Sequence, residues 1–415
     1  VYVSFDDGAR WQPLQLNLPI VPVTDLAVKG NDLVGATQGR GFWILDDLAP
    51  LRAVAANPRD AAARKAHLYE VSPAVRLPNA FTPPGSPPPG LGQNPPTGVV
   101  LHYWLKEAPP AKDAGKVKLE ILTADGQVIR TFTGKPAEGR KPAEPRPAGE
   151  GMQEEAQEKE ADLAKDKGGE AEMEAELEKE KDEDEEPVKI PTEAGLNRFV
   201  WDMTWPRGKD FPNMILWSGR PPAPVAIPGS YQARLTVGEE TFTQPFEIRK
   251  DPRSSATQED LEAQLRFLMD VRDKLTETHD AIRRIREVRA QLDDTKKRLR
   301  GKEDMKPVLD AARDLDKKMT AVEEALYQTR NKSSQDPLNF PIRLNDKLAG
   351  VADSAALGDY RPTAQAVRVK EQLTAAIDAE LAKLRQVWEG DLVKLNELAR
   401  EKGVAAVIVP EPRLK

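Results

Sequence analysis

The hydrophobic period of this chain changes once. Up to about residue 250 the apolar positions come in short alternating runs bounded by Gly, Pro, Asn and Asp, the period-two signature of β-strands. From Thr257 they recur every three to four residues, the signature of amphipathic helix. In the first fifty residues the runs Val1 to Phe5, Trp11 to Leu16, Val23 to Val28, Asp32 to Thr37 and Gly41 to Asp46 predict five strands. Six more are predicted at Val99 to Leu105, Lys116 to Thr123, Val128 to Phe132, Leu196 to Trp205, Gly229 to Val237 and Glu240 to Arg249. Turns at Asp125-Gly126 and Gly238-Glu239 punctuate them. Six strands with such turns predict an Ig-like or fibronectin-like β-sandwich over 97–134 and 192–250. In Leu196 to Trp205 the residues Phe199, Trp201, Met203 and Trp205 share one face, with Asp202 and Thr204 opposite, which reads as core or as an aromatic platform for sugars.

The helical part opens on Thr257-Gln258-Glu259-Asp260, a capping-box pattern, and runs along a stripe from Leu261 to Leu292 until Gly301. A second helix begins near Pro307 with Val308, Ala312, Leu315, Met319, Val322 and Leu326 on one face. After a connector from Asn331 to Arg361, Thr363 opens a third, ended by Lys402-Gly403. None of the three hides its stripe alone, so 251–403 is expected to form an antiparallel three-helix bundle or coiled-coil hairpin, with 404–415 as a tail. His279 falls near the stripe and is read as packed or half-exposed rather than as a ligand. Residues 51–96 read as a bridge with strand-like runs at His67 to Val71 and Ala74 to Leu77, ending in a linker with 8 prolines between Pro78 and Pro96.

Composition alters this picture in one place. The net charge of the 415 residues is −7, yet residues 150 to 187 hold 18 Asp or Glu against 5 Lys, which leaves the remainder at +6. The insertion 135–191 is therefore expected to be disordered, with a metal-binding acidic tail as the alternative reading. The basic residues elsewhere are interleaved with acids on helices, so no nucleic-acid partner is expected. No apolar run reaches the roughly 18 residues that a membrane-spanning helix needs, so no membrane insertion is expected either. With no cysteine and only His67, His102 and His279, neither a disulfide nor a zinc site is expected.

The stretch Ser4-Phe5-Asp6-Asp7-Gly8-Ala9-Arg10-Trp11 matches the pattern S-x-D-x-G-x-T-W except at Arg10. Asp6 can accept turn N–H groups, Gly8 can take a positive φ, and Trp11 can cover the turn. It resembles the Asp box of bacterial neuraminidase repeats. Together with Asp25 to Thr37 and Gly39 to Asp47, it resembles the last one and a half blades of the sortilin-like β-propellers in bacterial proteins labelled glycosyl hydrolases or BNR-repeat proteins. The run Pro228-Gly229-Ser230-Tyr231-Gln232-Ala233-Arg234-Leu235 and the helical end resemble the C-terminal region of the same family. The resemblance implies a multi-domain β plus α protein with a terminal propeller blade over 1–50, a periplasmic or extracellular location, and a protein or glycan ligand taken by the propeller. Val1 opens inside a motif with no initiator Met, which reads as a fragment of a longer protein.

Glycoside hydrolysis needs two carboxylates about 5 to 10 Å apart across one bond. The adjacent pairs Asp6/Asp7 and Asp46/Asp47 are expected to point to opposite faces of a strand. No phosphate loop, nucleophile elbow, H-E-x-x-H motif or informative Ser-His-Asp spacing accompanies them. No catalytic, cofactor-binding or metal-ligating residue is nominated and no cofactor is expected. The named sites are the structural turn residues Ser4, Asp6, Gly8 and Trp11, and Trp217, set among Pro, Gly and Ser, for carbohydrate stacking. Three functions stay open: a non-catalytic interaction and scaffold region, the accessory part of a glycoside hydrolase with its carboxylates elsewhere, and an adaptor working through a coiled-coil partner.

Overall fold

The computed structural model describes residues 1–57, 63–77, 94–137, 188–217, 219–220 and 223–411. Most of the expected acidic insertion 135–191 and most of the Pro-rich linker therefore lie outside the described residues, while the ends of the insertion are ordered, with Lys135 and Ile190 paired through the backbone. The protein is mixed β plus α, with several sheets followed by a helical C-terminal region. Its chain forms two compact units. The first takes the described residues up to Met203 together with Pro228–Asp251, and the second takes Thr204–Ile227 and the chain from Pro252.

In the first unit, β1 (Tyr2–Val3) and β2 (Gln12–Pro13) form a hairpin, and β3 (Val23–Lys29), β4 (Asp32–Thr37) and β5 (Phe42–Leu45) form a three-stranded antiparallel sheet. A short helix α1 (Ala49–Ala56) follows. The six strands expected further on are present as β8 (Val99–Leu105), β9 (Lys118–Thr123), β10 (Val128–Thr133), β11 (Gly195–Trp201), β12 (Gly229–Val237) and β13 (Glu240–Lys250). The bridge contributes two more, β6 (Ala66–Leu68) and β7 (Ala74–Arg76), so the sheets draw on more of the chain than 97–134 and 192–250. One sheet has the order β10-β9-β12-β13-β7 and the other β11-β8-β6.

The alternation that predicted these strands is what fills the space between the sheets. Tyr231, Ala233 and Leu235 of β12 are buried, as are Phe199 and Trp201 of β11. Phe199 meets Phe132 at 4.6 Å between ring centroids, and Trp201 meets Tyr231 and Phe246 at 6.2 and 6.3 Å. Rings at these separations add about 0.5 to 1.5 kcal/mol each beyond their buried area. The expectation for Trp205 fails. The strand ends at Trp201, Met203 takes a left-handed φ of 60°, and Trp205 goes to the second unit. A left-handed residue breaks the two-residue alternation, so Trp205 no longer shares the face of Trp201.

In the second unit, α2 (Gln258–Leu299) starts with the expected capping box of Thr257 and Asp260. It is followed by α3 (Lys306–Leu326), α4 (Leu344–Ala356) and α5 (Ala364–Gln386), then a π turn (Val387–Leu392) and α6 (Val393–Glu401). The three-helix expectation is corrected by α4, which lies inside what reads as a connector. Its buried stripe is Leu348, Ala349, Ala352 and Ala355 with Gly350 among them, too small and too interrupted to stand out as a period. It forms against α2 and α5, whose burial supplies what its own propensity lacks. The tail packs down rather than adding a strand. Asn396 exchanges two 2.8 Å bonds with the main chain of Val407, and Gln291 does the same with Ile408 at 2.8 and 2.9 Å.

Candidate functional site

Three polar assemblies stand out, and only the first was legible in the sequence. At the β1–β2 turn, Ser4 Oγ donates to Asp6 Oδ1 at 3.0 Å and accepts from Gly8 N–H at 2.8 Å, while Asp6 Oδ1 accepts from Arg10 N–H at 2.8 Å. Asp7 and Gly8 are both left-handed, at φ 52° and 90°. A β-carbon on Gly8 would touch the Trp11 ring at 3.7 Å, so the indole lies along the turn as expected. The bond from Arg10 and that from Ser4 outweigh desolvation and hold the Asp6 carboxyl below its ordinary range. Asp6 is thus spent on the backbone, and Asp7 lies in the turn rather than on a strand.

The second assembly centres on Asp47, just past β5 and left-handed at φ 59°. Its Oδ1 accepts from Asn31 Nδ2 at 2.9 Å, Ala49 N–H at 3.1 Å and Ser72 Oγ at 3.4 Å, and its Oδ2 faces His102 Nδ1 at 3.2 Å. Burial pushes the Asp47 carboxyl up, but the bonds from His102, Ala49 and Ser72 outweigh it and leave it below the ordinary value. These are the three residue types of a hydrolytic triad in a different order. The carboxylate sits in the middle and accepts the hydrogen bond of the serine hydroxyl itself, whereas activation requires the serine to face an imidazole nitrogen. The cluster ties the β3–β4 turn and the end of β5 to β8. Asp46 is exposed beside it, and neither residue lies on a strand, because β5 ends at Leu45, so the expected alternation along a strand does not apply to the pair.

The third assembly lies wholly in the second unit, where the strap Trp205–Trp217 lies along α2. Thr276 Oγ1 accepts from Lys209 N–H at 3.1 Å, His279 Nδ1 lies 2.6 Å from Lys209 O, and Arg283 donates to Asp210 O at 2.6 Å. These side chains repeat every three to four residues and therefore share one face of the helix. The strap anchors Phe211, whose ring meets His279, Tyr327 and the Arg286 guanidinium at 5.3, 4.9 and 4.6 Å. Tyr327 Oη accepts from Ile215 N–H at 3.0 Å, and Asp346 Oδ2 on α4 accepts from Trp217 N–H at 2.9 Å. The Trp217 side chain is 55% exposed, consistent with its reading as a surface ring.

His279 is buried, not half-exposed, and burial pushes its imidazole down to about 4. No sequence signal could have joined it to Asn345 and Lys209, some seventy residues away on either side, or Asp47 to His102. Among the described residues no group of three or more His, Asp or Glu is placed to hold a metal ion, and no helix is long and apolar enough to cross a membrane. No family model matches the chain, and no match is found among the curated proteins or the solved structures.

Proposed function

We propose that this chain is a non-catalytic interaction and scaffold region of a large secreted, Asp-box, sortilin-like propeller protein, with β1–β5 as propeller strands, an Ig-like sandwich and a helical brace. The observation that carries this reading is the β3–β5 sheet, which is apolar and open on both faces. The register sets Ala27, Val34 and Ile44 in one row and Val28, Leu33 and Leu45 in the next, so these rows face opposite ways. Leu26 and Val28 are 47% and 60% exposed on one face, and Phe42 and Ile44 are 78% and 58% exposed on the other. An antiparallel sheet with a free surface keeps one polar face, and two apolar faces suit a sheet stacked between others, as the blades of a propeller are. The hydrogen-bonded turn at Ser4–Trp11 supports the same reading. The ligand is a protein or glycan taken by the propeller, the location is periplasmic or extracellular, and the helical unit is a brace or the site of a coiled-coil partner.

Radical footprinting of Leu26, Val28, Phe42 and Ile44 tests it. These residues should label strongly in this chain alone and be protected in the protein purified from its natural source. Equal labelling in both would refute the stacked-sheet reading. On xyloglucan, sialosides and arabinan oligomers the chain should show no turnover. Hydrolysis lost in Asp6→Asn or Asp46→Asn would instead favour a glycosidase. The second reading, an accessory region of a glycoside hydrolase, is favoured by the exposed ring of Trp217, a surface on which a sugar can stack.

A further inference from the structure

The hydrogen bonds described between the strap and the helices join the strap's main chain to helix side chains. Along α2, Thr276, His279, Arg283 and Arg286 address Lys209, Asp210 and Pro212 in turn, the last with Arg286 Nη1 at 3.5 Å from the carbonyl. Its large buried groups are Phe211 and Leu216. Such an element opens at a lower free energy than a helix whose bonds are its own.

One contact can be switched. A carbonyl only accepts, so the 2.6 Å contact with Lys209 O puts a proton on His279 Nδ1. In the neutral ring Nε2 must then accept, and it faces Asn345 Nδ2 at 3.3 Å. A second proton on the ring would set Nε2–H against the amide N–H group. Asn345 cannot turn its carbonyl to meet it without giving up the 2.8 Å bond its Oδ1 accepts from Asp346 N–H. The charged groups around the ring are Lys209 and Asp210 on the strap, Asp280 and Arg283 on α2, Asp346 beside Asn345 on α4, and Arg286 across the Phe211 ring. Asp210 and Asp280 favour the cation, but desolvation of a ring this buried outweighs them.

We propose that the strap is a proton-operated latch: protonation of His279 frees Lys209–Trp217 from α2 and α4, hydrating the imidazolium and baring the pocket filled by Phe211, while the helices stay folded. The device lies in the helical unit and does not depend on the propeller reading.

Hydrogen exchange of the full chain tests it, read at the amides of Lys209, Ile215 and Trp217, whose acceptors are all side chains. Between pH 7 and 4.5 their protection factors, corrected for intrinsic rates, should fall on the order of tens-fold, as a group titrating near 6.5 when released and near 4 when held requires. The amides of Leu315 and Leu348 should keep their protection, and His279→Gln should abolish the pH step. Should that variant not fold, NMR titration of the His279 ring in the unaltered chain must share its midpoint with strap release. Constant strap protection down to pH 4.5, loss in step with α3 and α4, a step that survives in His279→Gln, or a ring midpoint apart from strap release would each overturn the latch.

Discussion

Arg289 on α2 donates to Glu323 on α3 at 2.7 Å, across 34 residues of sequence. The other carboxylate oxygen of Glu323 accepts from Arg286 at 2.8 Å, and Arg289 also reaches Asp316 at 3.0 Å. Glu323 is buried, at 2% exposure, while the two guanidinium groups keep about a third to a quarter of their surface in water. Such a network fixes the register of two long helices that hydrophobic stripes alone leave free to slide.

Removing the acid should therefore cost more than removing a surface partner. Glu323→Ala takes the carboxylate from Arg286 and leaves Arg289 only that of Asp316, and should destabilise the helical unit by about 2 to 3 kcal/mol, the buried-pair value discounted for the water the arginines retain. Asp310→Ala, whose partner Arg313 is exposed, should cost less than about 1 kcal/mol. Urea denaturation of both variants checks the contrast, and equal costs would deny Glu323 its role.

Leu315 lies in the buried stripe of α3 at 1% exposure, two residues from exposed Lys317. Leu315→Ala should lower stability by about 2 to 5 kcal/mol, and Lys317→Ala by almost nothing. The melting of the helical transition should not depend on protein concentration. A rise with concentration would show that the stripe is completed by a second chain.

The Asp47 cluster predicts a pH dependence in the β unit. Because the folded carboxyl sits below its ordinary 3.8, the unfolded chain takes up that proton first as the pH falls. The contribution is complete above the ordinary value and is lost as the pH falls through the depressed folded one. Asp47→Asn should cost about 1.5 to 3 kcal/mol at pH 7, the range for hydrogen bonds to a charged group. In thermal melts its gap from the unaltered chain should shrink below about pH 4.

Where the chain leaves β10 and returns ahead of β11 it is closed by its own backbone. Lys135 N–H donates to Ile190 O at 2.9 Å, Ile190 N–H to Thr133 O at 3.0 Å, and Thr192 Oγ1 to Lys135 O at 2.6 Å. The ends of the intervening segment are thus held together by the sheet. Replacing residues 138–187 with a short Gly-Ser linker should leave the melting of the β unit unchanged or slightly raised, since closure entropy varies slowly with length. Loss of cooperative melting would show that the segment is part of the fold.

Local signals in this sequence act over a few residues, and what they encode is what could be read. The alternation in Gly229–Val237 and the turn at Gly238-Glu239 fix β12 and β13 because side-chain direction and turn conformation are set by neighbours. The same holds for the capping box at Thr257 and the turn at Ser4–Trp11. Helix α4 escapes because its buried face is mostly alanine, with Leu348 as its one large apolar residue, and such burial becomes worth something only once α2 is beside it.

By itself, then, the sequence determined most of the strands, the three long helices and the hydrogen-bonded turn at Ser4–Trp11. Tertiary structure alone decided that Asp47 gathers Asn31, Ser72 and His102, that Glu323 is locked by two arginines, and that an aperiodic segment after Met203 becomes a strap on α2. Each of those depends on a buried polar group finding a partner tens of residues away. A buried donor or acceptor without a partner costs about 1 to 3 kcal/mol wherever its partner lies in the chain, so its demand leaves no period or spacing in the sequence.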